Sequence, residues 1–444
     1  MNIYFISLGC DKNLVDSENM LGILQENGYR ITNEEQEADI IIINTCCFIN
    51  DAKQESINTI LEMAEYKKAG SLKALIVTGC LAQRYKEEIL TEIPEVDALL
   101  GTSSFHEILK VMDEILNGGK QICFEDLDQL PKTNNKRMLT SGTYSTYLKI
   151  AEGCDKHCTY CIIPQVRGNY RSVPLEDLIN EAKYLAEQGV KELILVAQET
   201  TLYGVDLYKE KSLPKLLKEL CKIDGIEWIR IMYCYPEEIT DELIETIKQE
   251  PKICRYLDIP IQHANDRILK LMGRRTSKED LIGIITKLRY HIPDIVLRTT
   301  LITGFPTESD AEHEEVLEFV KNMQFERLGV FTYSKEDQTP ASKLKPQVTA
   351  KVKKQRQKDI MKLQQSIVFN HTSELIGKQY QVLVEGKIAD EDCVYIGRTY
   401  MDAPSVDGFL FVHSDRELIS GDMIEAKVTG AKGYDLVGEL ISED

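Results

Sequence analysis

Residues Asp39–Asn44 read DIIIIN, with four isoleucines in succession. Successive side chains of a strand point to opposite faces, so a run that is apolar at every position is buried on both. Strands of that kind belong to parallel sheets covered above and below by helices. Two further runs behave alike, Ile3–Leu8 and Ala74–Thr78 (ALIVT). Around them the sequence fits helices over Ser17–Asn27, over Asp51 to about Lys68, and from about Arg84. Residues 1–118 are therefore expected to form an N-terminal parallel α/β domain.

Residues 119–142 are polar and irregular, with GG and NN pairs, and read as a linker. A second α/β series occupies 143–372. Its strands are expected at Tyr147–Ile150, Leu193–Ala197, Trp228–Tyr233, Tyr256–Pro260, Ile295–Ile302 and Leu328–Tyr333. Helices fit between them at Leu175–Gln188, Pro214–Lys222, Thr240–Gln249, Lys278–His291 and Asp310–Met323, with Ser277 and Asp280 as a capping pair. Six strand–helix units are too few for a full eightfold barrel and fit an open (β/α)6 partial TIM-like barrel. The charged stretch Thr349–His371 is expected to be the helix that closes the series, its lysines a solvated face. Residues 373–444 hold five short β-rich runs divided by Gly, Pro and Asp, the pattern of a small OB-like β-barrel.

The chain of 444 residues has room for these three domains and has no apolar run long enough to span a bilayer. The N-terminus, MNIYFISLGC, has no basic stretch before its short apolar run and reads as a first strand, not a signal peptide. Twelve cysteines without an export signal imply a reducing cytoplasm, where clustered cysteines bind metal or do chemistry. The net charge of −19 repels phosphate backbones; a basic protein is the more natural partner, unless the charge serves solubility alone.

Cys154, Cys158 and Cys161 lie within GCDKHCTYCIIP, as C-x3-C-x2-C, after the first strand of the second series. Thiolates hold iron–sulfur clusters, normally one per iron, so three leave one iron of a cubane open. The alternative is a Cys3His zinc site completed by His157. Cys10, Cys46 and Cys80 each follow the carboxyl end of a strand in the first domain. In an open parallel sheet those ends share one crevice, so three distant cysteines can form a second site. Cys47 adjoins Cys46 and is left out of the set. Cys123, Cys221, Cys234, Cys254 and Cys393 read as core or surface thiols.

Two three-cysteine sets in this order, with SLGCDKN, NTCCFI, TGCLAQRY, IPIQH and GFPTES, resemble the methylthiotransferases of the radical S-adenosylmethionine superfamily over nearly the whole chain. Cys47 stands where that family more usually has a small residue. The resemblance implies two 4Fe-4S clusters, one on each set, and a terminal TRAM-like barrel. It also implies S-adenosylmethionine in two uses, as methyl donor and as the source of a 5′-deoxyadenosyl radical. Tyr160 would shield the second cluster or lie near the adenine. Gln198, Glu199, Arg298 and Thr300, at or just past barrel strand ends, are candidates for binding S-adenosylmethionine or for packing. His263 resembles part of a family motif or caps a strand; His291 and His413 read as incidental.

GCDKNLVDSE, AQETTLYGVD and IGRTYMDAPSVDG resemble the branch that modifies an aspartate β-carbon of ribosomal protein S twelve. Residues 373–444 carry 15 Asp or Glu against 6 Lys or Arg, a net −9, where a barrel gripping RNA would need a basic groove. The expected partners are that basic protein, free or in the ribosomal subunit, and a reductant of the flavodoxin or ferredoxin type, with no membrane and no nucleic-acid substrate. The rivals are a transfer RNA adenosine methylthiotransferase and a non-catalytic iron–sulfur or zinc binding module.

Overall fold

The computed structural model describes residues 1–131, 136–140 and 142–441. Four isoleucines in Ile40–Thr45 divide between two cores, as strand alternation requires. Ile40 and Ile42 pack with Met20, Leu24 and Ile108 on one face; Ile41 and Ile43 pack with Ile60, Met63 and Leu81 on the other. The strand is the third of a six-stranded parallel sheet. Its spatial order is Arg30–Ile31, Asn2–Ser7, Ile40–Thr45, Ala74–Gly79, Ala98–Leu100, Gln121–Cys123. The last two and Arg30–Ile31 are too short to show as apolar runs. Gln121–Cys123 lies within the expected linker and forms the sheet edge, paired to Ala98–Leu100. The rest of that linker call falls partly on 132–135 and 141, outside the described residues.

The second sheet is also six-stranded and parallel, and its strands are in chain order: Ser145–Lys149, Glu192–Val196, Trp228–Ile231, Ile253–Asp258, Val296–Thr303, Arg327–Thr332. Its ends are not joined to each other, which gives the open partial barrel. Helices at Leu175–Glu187, Leu213–Cys221, Asp241–Gln249, Lys278–His291 and Asp310–Met323 cover its outside through one large apolar core. The helix Ala350–Glu374 closes the series. Its lysines are not all solvated: Lys353 Nζ donates to the Tyr333 carbonyl at 2.7 Å and lies over that ring.

Strands Gln379–Lys387, Val394–Arg398, Leu410–His413, Met423–Lys432 and Asp435–Leu440 close into a five-stranded barrel. This barrel plugs the amino-terminal end of the partial barrel. Ile194, Trp228, Tyr256 and Val296 share a core with Val382, Tyr395, Met401 and Ala403. Inside that core Glu192 accepts from Arg398 at 2.6 Å and from Arg230 at 2.8 Å, all three side chains fully buried. Burial alone would raise the Glu192 carboxyl; the two guanidiniums hold it down at about 2. The segment Arg398–Gly408, part of IGRTYMDAPSVDG, adds Asp402 to Arg327 at 2.5 Å and Asp407 to the Tyr256 hydroxyl at 2.7 Å. Residues 442–444 lie outside the described residues.

Candidate active site across the domain seam

The first sheet reverses its winding between Asn2–Ser7 and Ile40–Thr45, and the crevice of such a sheet opens at that point. Cys10 and Cys46 follow these two strands, and Cys80 follows the next. Glycines let the loops close in. At Gly9, φ +95°, an added Cβ would lie 3.0 Å from Cys46 Sγ. At Gly79, φ +90°, one would lie 2.5 Å from the Thr45 carbonyl oxygen. Cys10 precedes the helix Asp11–Glu26, and Cys80 begins the helix Cys80–Glu92. Two helix amino termini therefore lie beside the site.

The second triad sits on the loop after Ala151–Glu152. The loop is anchored by Thr159, whose N–H donates to the Met272 carbonyl at 2.9 Å and whose hydroxyl donates to the Leu271 carbonyl at 2.7 Å. The Ile163 N–H points to Cys161 Sγ at 3.5 Å, and the Tyr235 hydroxyl lies 3.6 Å from Cys158 Sγ. A short helix, Ile163–Arg167, then carries Arg167 across the seam, where its Nε donates to Cys80 Sγ at 3.4 Å. Arg167 also pairs with Asp16 at 2.7 Å and Glu152 at 3.1 Å, and Lys149 pairs with the same two carboxylates. The loop of one triad is thus bonded to a sulfur of the other.

Burial pushes the Cys46 and Cys154 thiols up to about 12, so at neutral pH they keep their protons until a metal displaces them. Neither triad brings all three sulfurs within 4.8 Å of one another, the spacing that ligands of a single ion would have. His157 is exposed and joins no such group. Three separated thiolates with N–H and guanidinium donors at the sulfurs fit the corners of a cubane with one iron left open. Cys47 turns into the core and donates to the Cys80 carbonyl at 3.2 Å, which leaves the set at three.

Three family models match the chain: the uncharacterized protein family UPF0004 over residues 2–101, the radical SAM superfamily over 148–320, and the TRAM domain over 376–441. The ribosomal protein uS12 methylthiotransferase RimO of Lachnoclostridium phytofermentans is 65% identical, covering 99% of each chain. That of Clostridioides difficile (strain 630) is 50% identical, covering 100% of this chain and 99% of the relative. The chain belongs to the RimO family of radical S-adenosylmethionine methylthiotransferases. A RimO-family chain is an enzyme that uses S-adenosylmethionine and a 4Fe-4S cluster. Among solved structures, the radical S-adenosylmethionine methyltransferase TsrM from Kitasatospora setae has a TM-score of 0.57 at 12% identity, covering 77% of this chain and 73% of that one. At that identity the likeness concerns the fold.

The remaining candidates in this RimO-family chain divide by position. Tyr160 packs with Ile268, Met272 and Phe305 beside the second triad. Gln198 Nε2 donates to Glu152 at 2.8 Å, and its Oε1 is buried without a partner. Glu199 Oε1 accepts from the Thr201 N–H at 2.8 Å, its Oε2 is likewise unpartnered, and burial raises its carboxyl to about 7. Arg298 and Thr300 stand inside Val296–Thr303 rather than past its end, because that strand pairs with Arg327–Thr332 as far as Thr303. Arg298 bonds Asp258 at 2.8 Å and reaches Asp407 of the terminal barrel at 3.7 Å. A cavity of about 240 Å³ beside it is lined by Arg298, Arg327, Gln364 and Tyr434 and holds none of the cysteines. His263 accepts from the Asn265 N–H at 3.0 Å and caps a turn.

Residues not singled out in the sequence are in the network around the cysteines: Lys12, Asn13, Asp16, Lys149, Glu152, Arg167, Tyr233 and Tyr235. The signal for the first three was available. A polar run directly after a strand-end cysteine, in a helix that buries Lys12, Asn13, Asp16, Ser17, Glu18 and Asn19, is not an ordinary solvated face.

Proposed function

We propose that the enzyme inserts a methylthio group at the β-carbon of an aspartate in ribosomal protein uS12. The reading has S-adenosylmethionine serve as methyl donor and as radical source, with a reductant of the flavodoxin or ferredoxin type. What supports it is the pair of three-cysteine sets, Cys10/Cys46/Cys80 and Cys154/Cys158/Cys161, with Arg167, on the helix that follows the second set, bonded to Cys80 of the first, in a chain alike over its full length to uS12 methylthiotransferases. When bound, a cluster on the second set would supply the electron that cleaves S-adenosylmethionine, and one on the first would supply the sulfur.

The protein's own residues hold and enclose. Gln198 Oε1 and Glu199 Oε2, buried acceptors without donors, suit the ammonium of S-adenosylmethionine. The network Asp16–Lys149–Glu152–Arg167 keeps its charges paired while fixing the distance between the triads. No helix among the described residues is long and apolar enough to cross a membrane. The acidic excess of the terminal barrel is smaller at its surface than in its sequence, because Asp402 and Asp407 are spent on arginines of the partial barrel. Exposed acids remain at Asp390, Glu391, Asp392, Asp415 and Glu417, a surface that suits a basic partner.

The deciding experiment incubates the reduced, cluster-loaded enzyme with S-adenosylmethionine and either uS12 or transfer RNA, and weighs the products. A methylthio mass gain on one aspartate of uS12 is expected. The same gain on a transfer RNA adenosine, with uS12 unchanged, replaces the reading with its rival.

A further inference from the structure

Lys12 is in a place that suits a cation poorly. Its residue is 6% exposed, and a buried ammonium costs free energy unless it is paired. It also lies in the first turn of the helix Asp11–Glu26, where the helix dipole disfavours positive charge. Its partners are Asp11, at 3.0 Å, and the face of Tyr233, with Nζ 3.1 Å from the ring centroid. Tyr233 is itself held at φ +60°, left-handed for a residue with a Cβ, while Asp258 accepts from its N–H at 3.1 Å. Strain of that kind persists where the surroundings impose it, and it gathers at functional sites.

The position explains the expense. Lys12 is two residues from Cys10. The segment Tyr233–Cys234–Tyr235 runs from Lys12 at one end, with the Tyr233 hydroxyl donating to Asp11 at 3.2 Å, to Cys158 at the other, with the Tyr235 hydroxyl at 3.6 Å. Lys12 is thus tied to the first triad by two residues of chain and to the second through the segment Tyr233–Tyr235. We propose that Lys12 receives the carboxylate of the target side chain and so makes the site specific for an acidic residue. This rests on the proposed aspartate substrate and names the group that recognises it. In aspartate the β-carbon is bonded directly to the carboxylate carbon, so gripping the carboxylate fixes the carbon that loses hydrogen. The ammonium has three donors, so Lys12 can keep Asp11 on one of them and offer another to the incoming carboxylate, while Asp11 also accepts from the Tyr233 hydroxyl.

The test uses the full-length, cluster-loaded enzyme and two peptides from the uS12 target region, one with the native aspartate and one with asparagine in its place. Wild-type enzyme is expected to prefer aspartate by roughly a hundredfold or more in kcat/KM, as sites built around one polar group do. In Lys12→Gln the preference is expected to fall below about tenfold, with iron and sulfide contents equal to wild type. If Lys12→Gln does not take up its clusters, Lys12→Arg replaces it: retained preference supports the site, and lost preference overturns it. Equal use of both peptides by the wild type, or full preference kept by a loaded Lys12→Gln, overturns the carboxylate site alone. Wild type that methylthiolates neither peptide nor whole uS12 overturns the proposed substrate, and this site with it.

Discussion

At the scale of single residues, the proposed division of labour between the triads gives the sharpest expectation. Cys158→Ala should abolish formation of 5′-deoxyadenosine from S-adenosylmethionine. Cys46→Ala should retain it and lose methylthio transfer, as measured by product mass spectrometry on variants that keep the other cluster. Equal loss of cleavage in both would contradict the division. His263 gives a different kind of expectation. Burial lowers its imidazole to about 3, so the folded protein refuses a proton that the unfolded chain takes up below about 6.5. Folding stability on this account is full above that value and falls as pH drops through the window. His263→Gln should show a smaller decline in urea midpoint between pH about 6.5 and about 5 than the wild type. The two three-cysteine sets stood out in the sequence because clustered cysteines are rare, and the fold places each set just after strand ends; their proposed role as ligands rests on chemistry. Lys12 and Arg167 did not stand out, because a charged residue reads as solvated until the fold shows what covers it.

At the scale of elements, the six strands and five helices expected in the partial barrel are all present, most within one residue at each end. Ile253–Asp258 starts three residues before its expected bound, and short helices such as Ile163–Arg167 and Asp266–Leu271 were not expected. Lys278–His291 and Asp310–Met323 have the expected bounds, and Ser277 with Asp280 forms the expected capping box. The helix expected at Ser17–Asn27 begins at Asp11 instead. Apolar periodicity could not find its first turn, because that turn buries polar side chains against the site. GFPTES has a structural account as well. Ser309 caps the helix Asp310–Met323 in a reciprocal box with Glu312, and Glu308 bonds Arg356 of the closing helix at 2.9 Å. Ser309→Ala should lower stability by about 1 kcal/mol in urea titration without changing iron content. A loss of iron in that variant would give the motif a part in cluster binding.

At the scale of the whole molecule, five strands and an acidic composition announced the terminal barrel, but nothing in the sequence told where it docks. Its docking residues, Arg398, Asp402 and Asp407, find partners only in the folded partial barrel. Arg398→Met leaves Glu192 buried with one of its two cations, and should cost about 3–5 kcal/mol in thermal or urea unfolding. The Glu192 pair contributes above pH about 4.5 and is lost as pH falls toward about 2, so acid should release the terminal barrel before it unfolds the first sheet. Limited proteolysis across that range, with cleavage first near Glu374–Gln379, would report it. The plug also narrows the directions of approach. With the floor stoppered, a target is left the cysteine-bearing rim and the gap between the unjoined strands Ser145–Lys149 and Arg327–Thr332. A residue at the tip of a projecting hairpin or loop is expected to reach in by either way, and a side chain lying flat on a helix or sheet of the same substrate is expected to escape modification, which product mass spectrometry checks.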